Sequence, residues 1–344
     1  MLKLSRVCVP LSLDCNLHCR YCYRDKEKLD KIPEFTEDMK DYLRNLSPDW
    51  CEAVIASGGE PLLHWDKVEE LFSYVPKNVH KKIMSNCILL DQKMVDYMNN
   101  NEIEMHFSHD GKMTKFLRGV DILEDEKIVN LLRQIKILRC YAVMTKYNPN
   151  VWENYFDTVR KLQRIDMNYE TMPLNDVSPE QHYLVEGFDY DTWFETWVQF
   201  RSSPFYKRLP WYNGRTLKFY NPPPGRGVGV NVLPDGTLCG MIRICDVYGS
   251  IYSTGEEYHK KAVEIGLASY CNRIKCPYTD RCQAMLQHSS DHICKTRQMT
   301  MDCSPERIQE IREYTRTHLL DIVEKYGFKD IADELKKNYG LHKG

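Results

Sequence analysis

From residue 4 to about residue 175 the chain alternates short apolar runs with longer stretches whose apolar positions recur at helical spacing. That is the rhythm of β/α units. The runs predict strands over Arg6–Leu13, Cys51–Ser57, Lys82–Asn86, Glu104–Ser108, Ile137–Met144 and Met167–Met172. The stretches between them predict helices over Thr36–Leu46, which opens on Thr36-Glu37-Asp38, and over Trp65–Val75, Asp91–Asn100, Lys127–Gln134 and Val151–Arg164. A further helix over Tyr190–Arg201 makes a sixth unit. Parallel strands joined by helices close toward a barrel, and such barrels gather functional groups at the C-terminal ends of their strands. Beyond the sixth unit the pattern changes. Ser202–Gly229 contains Asn221-Pro222-Pro223-Pro224-Gly225, which breaks any helix and reads as a linker. Val232 to Cys239 alternates around Asp235-Gly236, a hairpin signal. Short strands, turns and cysteines follow, until Pro305–Lys337 returns to helical periodicity.

Composition narrows the function classes. A chain of 344 residues can bury one large core or two moderate ones. Lys+Arg 47 against Asp+Glu 49 leaves a net charge of -2, which gives no global footprint for nucleic acid or a membrane and leaves only a local basic groove open. Met1 opens no basic-then-apolar leader and no apolar run is long enough to span a bilayer, so a soluble, cytoplasmic protein is expected. The cytosol keeps thiols reduced, so Cys 14 points to metal or redox chemistry rather than disulfides. Three cysteines form an N-terminal triplet and seven fall between Cys239 and Cys303; Cys8, Cys51, Cys87 and Cys140 read as small core residues.

The triplet is Leu13-Asp14-Cys15-Asn16-Leu17-His18-Cys19-Arg20-Tyr21-Cys22, with spacing C-x3-C-x2-C and no fourth cysteine close by. A cluster held wholly by protein uses four cysteines, so three leave one iron with an open coordination position. A zinc knot or buried free thiols is the plain alternative. The motif resembles that of the radical S-adenosylmethionine (radical SAM) enzymes, and the resemblance implies that the amino and carboxylate groups of S-adenosyl-L-methionine occupy the fourth iron of a 4Fe-4S cluster on Cys15, Cys19 and Cys22, the catalytic centre. It also implies a partial (β/α)6 TIM-like barrel of α/β class, followed by a small cysteine-rich auxiliary iron-sulfur domain and a C-terminal helix. The expected boundaries are 1–201 for the barrel, 202–229 for the linker, 230–303 for the auxiliary region and 304–344 for the helical tail.

Further motifs fit the same family. Gly58-Gly59-Glu60 follows the second strand, where glycine leaves the backbone open to a ligand, and is similar to the family's Gly-Gly-Glu, which would meet the cofactor's amino group. Ser85-Asn86 ends the third strand and resembles Ser/Thr-Asn-Gly-x-Leu-Leu, with Cys87 in place of glycine and therefore a different backbone expected there. Ser108-His109-Asp110-Gly111 resembles Ser-x-Asp-Gly, and Ser108 with Arg118 would contact the cofactor carboxylate; the plain alternative for Arg118 is an exposed helix charge. Tyr21 joins this cofactor-binding set. His18 and His109 stand outside the catalytic set, because a histidine near a cofactor is as often a hydrogen-bonding wall.

The later cysteines are similar to the SPASM and twitch auxiliary-cluster regions of radical SAM enzymes, with departures. Cys239 follows Gly236 too closely, no cysteine precedes the turn at the expected distance, and Leu286 stands where a cysteine is expected. The cysteines present correspond to the second auxiliary cluster, so one auxiliary 4Fe-4S cluster is expected on Cys271, Cys276, Cys282 and Cys294, with Cys303 in reserve for Cys294. Four sulfurs satisfy zinc equally well. Cys239 and Cys245 are spare thiols, for packing or for hydrogen-atom donation, with a ligand role for Cys239 as the other alternative. The resemblance implies reductive cleavage of S-adenosylmethionine to a 5'-deoxyadenosyl radical that abstracts hydrogen, most often from a peptide or protein, with an electron donor such as flavodoxin or ferredoxin. With a strand starting so near Met1, the N-terminal leader-binding domain of many peptide-modifying relatives is not expected, which lowers the peptide option without excluding it. Tyr206, Trp211, Tyr212, Arg215, Lys218 and Tyr220 mix aromatic and basic residues as a nucleic-acid groove would, or as a domain-packing surface would. A nucleotide, nucleic acid or small-molecule substrate is the alternative, and a non-catalytic iron-sulfur or zinc redox sensor is the alternative of another class.

Overall fold

The computed structural model describes residues 2–4, 6–22, 32–174, 179–207, 230–239, 247–254, 256–257, 260–261 and 305–339. Cys245, Cys271, Cys276, Cys282, Cys294 and Cys303 lie outside the described residues, as do positions 208–229 of the expected linker.

Six strands form one parallel sheet in sequential order: β1 (Arg6–Pro10), β2 (Ala53–Ser57), β3 (His80–Ser85), β4 (Glu104–Ser108), β5 (Leu138–Met144) and β6 (Asn168–Pro173). The connecting helices are α1 (Glu37–Arg44), α2 (Trp65–Tyr74), α3 (Gln92–Asn100), the short α4 (Thr114–Arg118), α5 (Glu126–Gln134) and α6 (Val151–Leu162), with α7 (Tyr190–Ser202) and the short α8 (Pro204–Lys207) after β6. Side-chain oxygens of Thr36, Asp91, Asp125, Asn150 and Asp189 cap α1, α3, α5, α6 and α7. Each such cap satisfies a donor the helix itself leaves unpaired.

One face of the sheet builds the core. Val7, Val9, Val54, Ala56, Ile83, Met105, Phe107, Cys140, Ala142 and Met144 alternate along the strands and pack on Met39, Leu43, Val68, Leu71, Val95, Met98 and Leu132 of the helices. Full burial of each large apolar side chain contributes about 1.5–3 kcal/mol. On the opposite face Cys8, Ala53 and Ile55 pack with Met84, and several positions of β3 to β6 are charged. Glu104 lies between His80 (2.7 Å), Lys82 (3.2 Å), His106 (3.2 Å) and Arg139 (2.7 Å), and Glu170 lies 2.7 Å from both Arg139 and Arg201. This ladder, buried at Glu104 and half-buried at its partners His80, Lys82 and Arg139, lines part of the sheet's other face. His80 and Lys82 belong to it, which explains why β3 starts two residues before the apolar run predicts.

The predicted hairpin is present and sits in the barrel sheet itself. β7 (Val230–Val232) pairs parallel with β1, β8 (Thr237–Cys239) pairs antiparallel with β7 around Gly236 (φ 86°), and β9 (Val247–Ser250) adds to β8. The C-terminal segment is two helices rather than one, α9 (Pro305–Lys325) and α10 (Lys329–Tyr339). Gly327, at φ 85°, ends α9: its N–H donates to Glu324 O, and the Phe328 N–H donates to Val323 O. That pair of bonds is a Schellman ending, which glycine adopts without strain. Phe328 then stacks on Phe156 of α6 at 4.5 Å, and Arg307 of α9 reaches Glu195 of α7 at 3.3 Å. Among the described residues no helix is long and apolar enough to cross a membrane.

Candidate active site

β1 ends at Pro10, and residues 11–22 run over the C-terminal edge of the sheet. The Gly58-Gly59-Glu60 turn lies against that loop. Leu11 N–H donates to Ser57 O (2.9 Å), Gly59 N–H to Ser12 O (2.6 Å) and Glu60 N–H to Asp14 O (2.7 Å). A Cβ added at Gly58 or Gly59 would overlap the Ser12 or Asp14 carbonyl oxygen, and Gly58 sits at φ 124°. Both glycines are therefore required by the close approach of the cysteine loop. On the loop itself, Ser12 Oγ donates to Asp14 Oδ2 (3.0 Å) and His64 Nε2 lies 3.1 Å from the same oxygen.

Glu60, 1% exposed, joins the ends of β2 and β3. Its Oε1 accepts from Leu62 N–H (3.0 Å) and Ser85 Oγ (2.7 Å), and its Oε2 accepts from Asn86 N–H (2.8 Å). The Ser85 hydroxyl also accepts from Cys87 N–H (2.8 Å). Asn86 Nδ2 donates to Asn16 Oδ1 (2.8 Å) and lies 3.9 Å from Cys15 Sγ, so the β3 end touches the cysteine loop directly. Cys87 is buried at φ 61°. Where cysteine stands in place of glycine, Cys87 itself takes the left-handed conformation that glycine adopts without strain.

The β4 end supplies the other wall. Arg118 is buried, not an exposed helix charge: its Nε and Nη2 contact Asp110 at 2.7 and 3.2 Å, and its guanidinium stands 5.2 Å from the centre of the Tyr21 ring. Tyr21 OH donates to Asp110 Oδ2 (2.8 Å). Val143 N–H donates to Asp110 Oδ1 (2.8 Å). Arg20 N–H donates to Leu117 O (2.8 Å) and its Nε to Phe116 O (2.7 Å), which fixes the Cys19–Cys22 turn against α4. The half-buried Ser108 hydroxyl at the β4 end makes no hydrogen bond among the described residues. Burial pushes the Cys19 thiol up to about 11, with the Arg118 guanidinium pulling the other way. His109 is a structural wall: Nδ1 lies 2.8 Å from Thr158 Oγ1 and Nε2 lies 3.2 Å from Asp121 Oδ1.

Sequence reasoning left Asp110 unassigned although it stands inside the quoted Ser108-x-Asp110-Gly111 motif. Its importance lies in partners drawn from the cysteine loop, α4 and β5. Cys8, Cys51, Cys87 and Cys140 are all buried, as core residues should be, and burial pushes the Cys51 thiol up to about 11. Cys239 is buried too, packed with Ile32 and Leu233 beside Leu13 of the cysteine loop.

The donor set suits an iron-sulfur cluster. Cys15, Cys19 and Cys22 form no disulfide among the described residues and share one loop, less buried than the core cysteines. Among the described residues no three Cys, His, Asp or Glu side chains gather around a single-ion position. A cluster does not require that, since each thiolate binds a different iron. Glu60, Asn86 and Ser108 lie at the strand ends that this loop overhangs, and Arg118 of α4 reaches Tyr21 of the loop from beside them.

A family model described as the Radical SAM superfamily matches residues 9–181. The uncharacterized protein MJ0907 of Methanocaldococcus jannaschii is 29% identical over 140 residues, 38% of this chain and 46% of that protein. A cysteine-type anaerobic sulfatase-maturating enzyme of Clostridium novyi is 24% identical over 229 residues, 58% of this chain and 61% of that enzyme. The chain thus spans about half to three-fifths of the length of the curated relatives it matches. The structure of native anSMEcpe with bound AdoMet and Kp18Cys peptide superposes with a TM-score of 0.60 at 18% identity, covering 90% of this chain and 99% of that one, so the fold is shared. A cysteine triplet on the C-terminal edge of a parallel β/α sheet and a family match over half the chain lead to one assignment: this chain belongs to the radical SAM superfamily.

Proposed function

We propose that the protein modifies a peptide or protein substrate, with a 4Fe-4S cluster on Cys15, Cys19 and Cys22 and S-adenosylmethionine on the open iron. When bound and reduced by an external electron donor, that pair would supply a 5'-deoxyadenosyl radical able to take hydrogen from an unactivated C–H bond, the donated electron being spent on breaking the cofactor's C5'–S bond. The observation that carries the reading is the convergence of Glu60, Asn86 and Ser108 on the strand ends beneath the triplet loop, with Arg118 of α4 beside them. The chain's own residues bind and orient. Glu60, Ser85 and Asn86 fix the β2 and β3 ends against the loop. The unbonded Ser108 hydroxyl, and the Arg118 Nη1 left over after Asp110 is served, are the donors offered to the cofactor carboxylate. Tyr21, Leu117, Leu174, Leu184 and Val185 form a buried apolar wall that keeps water from the loop's inner side.

Cys271, Cys276, Cys282 and Cys294 are proposed as ligands of one auxiliary 4Fe-4S cluster, on sequence grounds. The auxiliary region is taken to begin at residue 230, as an extension of the barrel sheet. A flavodoxin or ferredoxin is the proposed electron donor. The peptide preference is supported by the fold shared with anSMEcpe, whose structure contains a peptide.

The test is anaerobic turnover of the reconstituted protein with S-adenosylmethionine and a reductant, against a panel of peptides encoded beside its gene and a panel of nucleotides. A peptide that raises 5'-deoxyadenosine above the uncoupled rate and is recovered with an altered mass is the expected result. Stimulation by nucleotides and by no peptide would overturn it.

A further inference from the structure

We propose that Asp110 is a positioning residue that ties the cluster loop to the β4–α4 corner, and that it neutralises Arg118 so that no uncompensated charge stands beside the cluster. The inference rests on the radical SAM reading of Cys15, Cys19 and Cys22.

Asp110 is fully buried, and its two oxygens accept from the Tyr21 hydroxyl, from Arg118 Nε and Nη2, and from Val143 N–H. Those donors belong to three separate stretches of chain. The carboxylate cannot drift, because its backbone is held on both sides: Asp110 N–H donates to Thr114 Oγ1 (2.9 Å), and Asn148 Nδ2 donates to Asp110 O (3.3 Å). Gly111 follows at φ 62°, where an added Cβ would overlap Asn154. Tyr21 is one of the two residues between Cys19 and Cys22, so its hydroxyl transmits this rigidity to the loop. Leu117, the residue before Arg118, accepts the Arg20 N–H, so the loop meets α4 through the backbone as well.

Charge follows from the same geometry. Arg118 is 8% exposed, and a guanidinium so buried is screened little by water. Paired with Asp110, it presents a dipole rather than a net charge, and a dipole's influence falls off faster with distance. Removing the anion should therefore make the cluster easier to reduce, and removing the cation should make it harder. A purely structural role for the pair gives no reason for opposite signs.

The experiment is an electron-paramagnetic-resonance redox titration of the cluster-loaded chain without S-adenosylmethionine, so that cofactor contacts do not intervene. Asp110→Asn is expected to shift the reduction potential upward, Arg118→Met downward, the double variant back toward wild type, and Tyr21→Phe not at all. Shifts of the same sign in the two single variants, or none in either, overturn the inference. A second readout uses the metal-free chain: Asp110→Ala is expected to speed amide exchange at Arg20 and Cys22 roughly tenfold, the loss of a charge-assisted anchor. Exchange unchanged there overturns the positioning role even if Asp110→Asn fails to load a cluster. A wild-type chain that takes up no cluster overturns the radical SAM reading itself, and the charge argument with it.

Discussion

Replacing Glu60 by glutamine changes one atom of the side chain and disturbs three hydrogen bonds. In the native site Oε1 serves Leu62 N–H and the Ser85 hydroxyl while Oε2 serves Asn86 N–H, all within 3.0 Å. An amide offers one acceptor and one donor where the carboxylate offers two acceptors. If its oxygen takes the Oε1 position, its NH2 faces the Asn86 N–H; if it takes the Oε2 position, the NH2 faces the Leu62 N–H. Either way one backbone donor is left unpaired where the side chain is 1% exposed. A lost bond to a charged group is worth about 1.5–3 kcal/mol and an unsatisfied buried donor about 1–3 kcal/mol. The gain from no longer burying a charge offsets part of this, which leaves a net loss of about 3 kcal/mol. Urea unfolding of the metal-free chain under reducing conditions reads it as a lower midpoint at unchanged slope. A loss under about 1 kcal/mol would refute the claim that Glu60 holds the β2 and β3 ends together.

Other substitutions probe the remaining parts. Gly59→Ala drives a methyl group into the Asp14 carbonyl beside Cys15, so iron bound per chain after reconstitution should fall sharply while the circular dichroism of the barrel persists. At Cys87, held at φ 61°, Cys87→Gly should stay within about 1 kcal/mol of wild type and Cys87→Val should lose about 2 kcal/mol or more, both by urea midpoint. Burial lowers the His106 imidazole from 6.5 to about 4 against the opposing pull of Glu104. The unfolded chain therefore takes up that proton first as pH falls. Stability should decline from pH 6.5 down to about 4, by about 3 kcal/mol in all, and His106→Gln should flatten the upper part of that decline. Glu104, which burial alone would raise but which His106, His80 and Arg139 hold well below its ordinary value, contributes with the same sign at lower pH.

The β/α units were legible because most strands keep an apolar face, as in Val7 and Val9 or Met105 and Phe107, and because Thr36, Asp91, Asp125, Asn150 and Asp189 mark helix starts. The other face was harder to read. Lys82, Glu104, His106, Arg139 and Glu170 look like surface residues in a linear chain and become compatible with burial only through one another. The parallel pairing of Val7 and Cys8 with Val230 and Asn231 joins segments more than two hundred residues apart in the numbering, and no local pattern encodes it. The cysteine triplet was legible from spacing alone. Asp110 was not, since an aspartate in a short motif carries no sign of donors waiting on Tyr21, Arg118 and Val143. Nor did sequence reveal that Gly58 and Gly59 make room for the Ser12–Asp14 backbone.

The most direct measurement of the central claim is 5'-deoxyadenosine formed from S-adenosylmethionine by the anaerobically reconstituted, dithionite-reduced protein. The account predicts that wild type forms it and that Cys15→Ala, Cys19→Ala and Cys22→Ala do not. An intact cluster that yields no 5'-deoxyadenosine, or equal yield from Cys15→Ala, would contradict it.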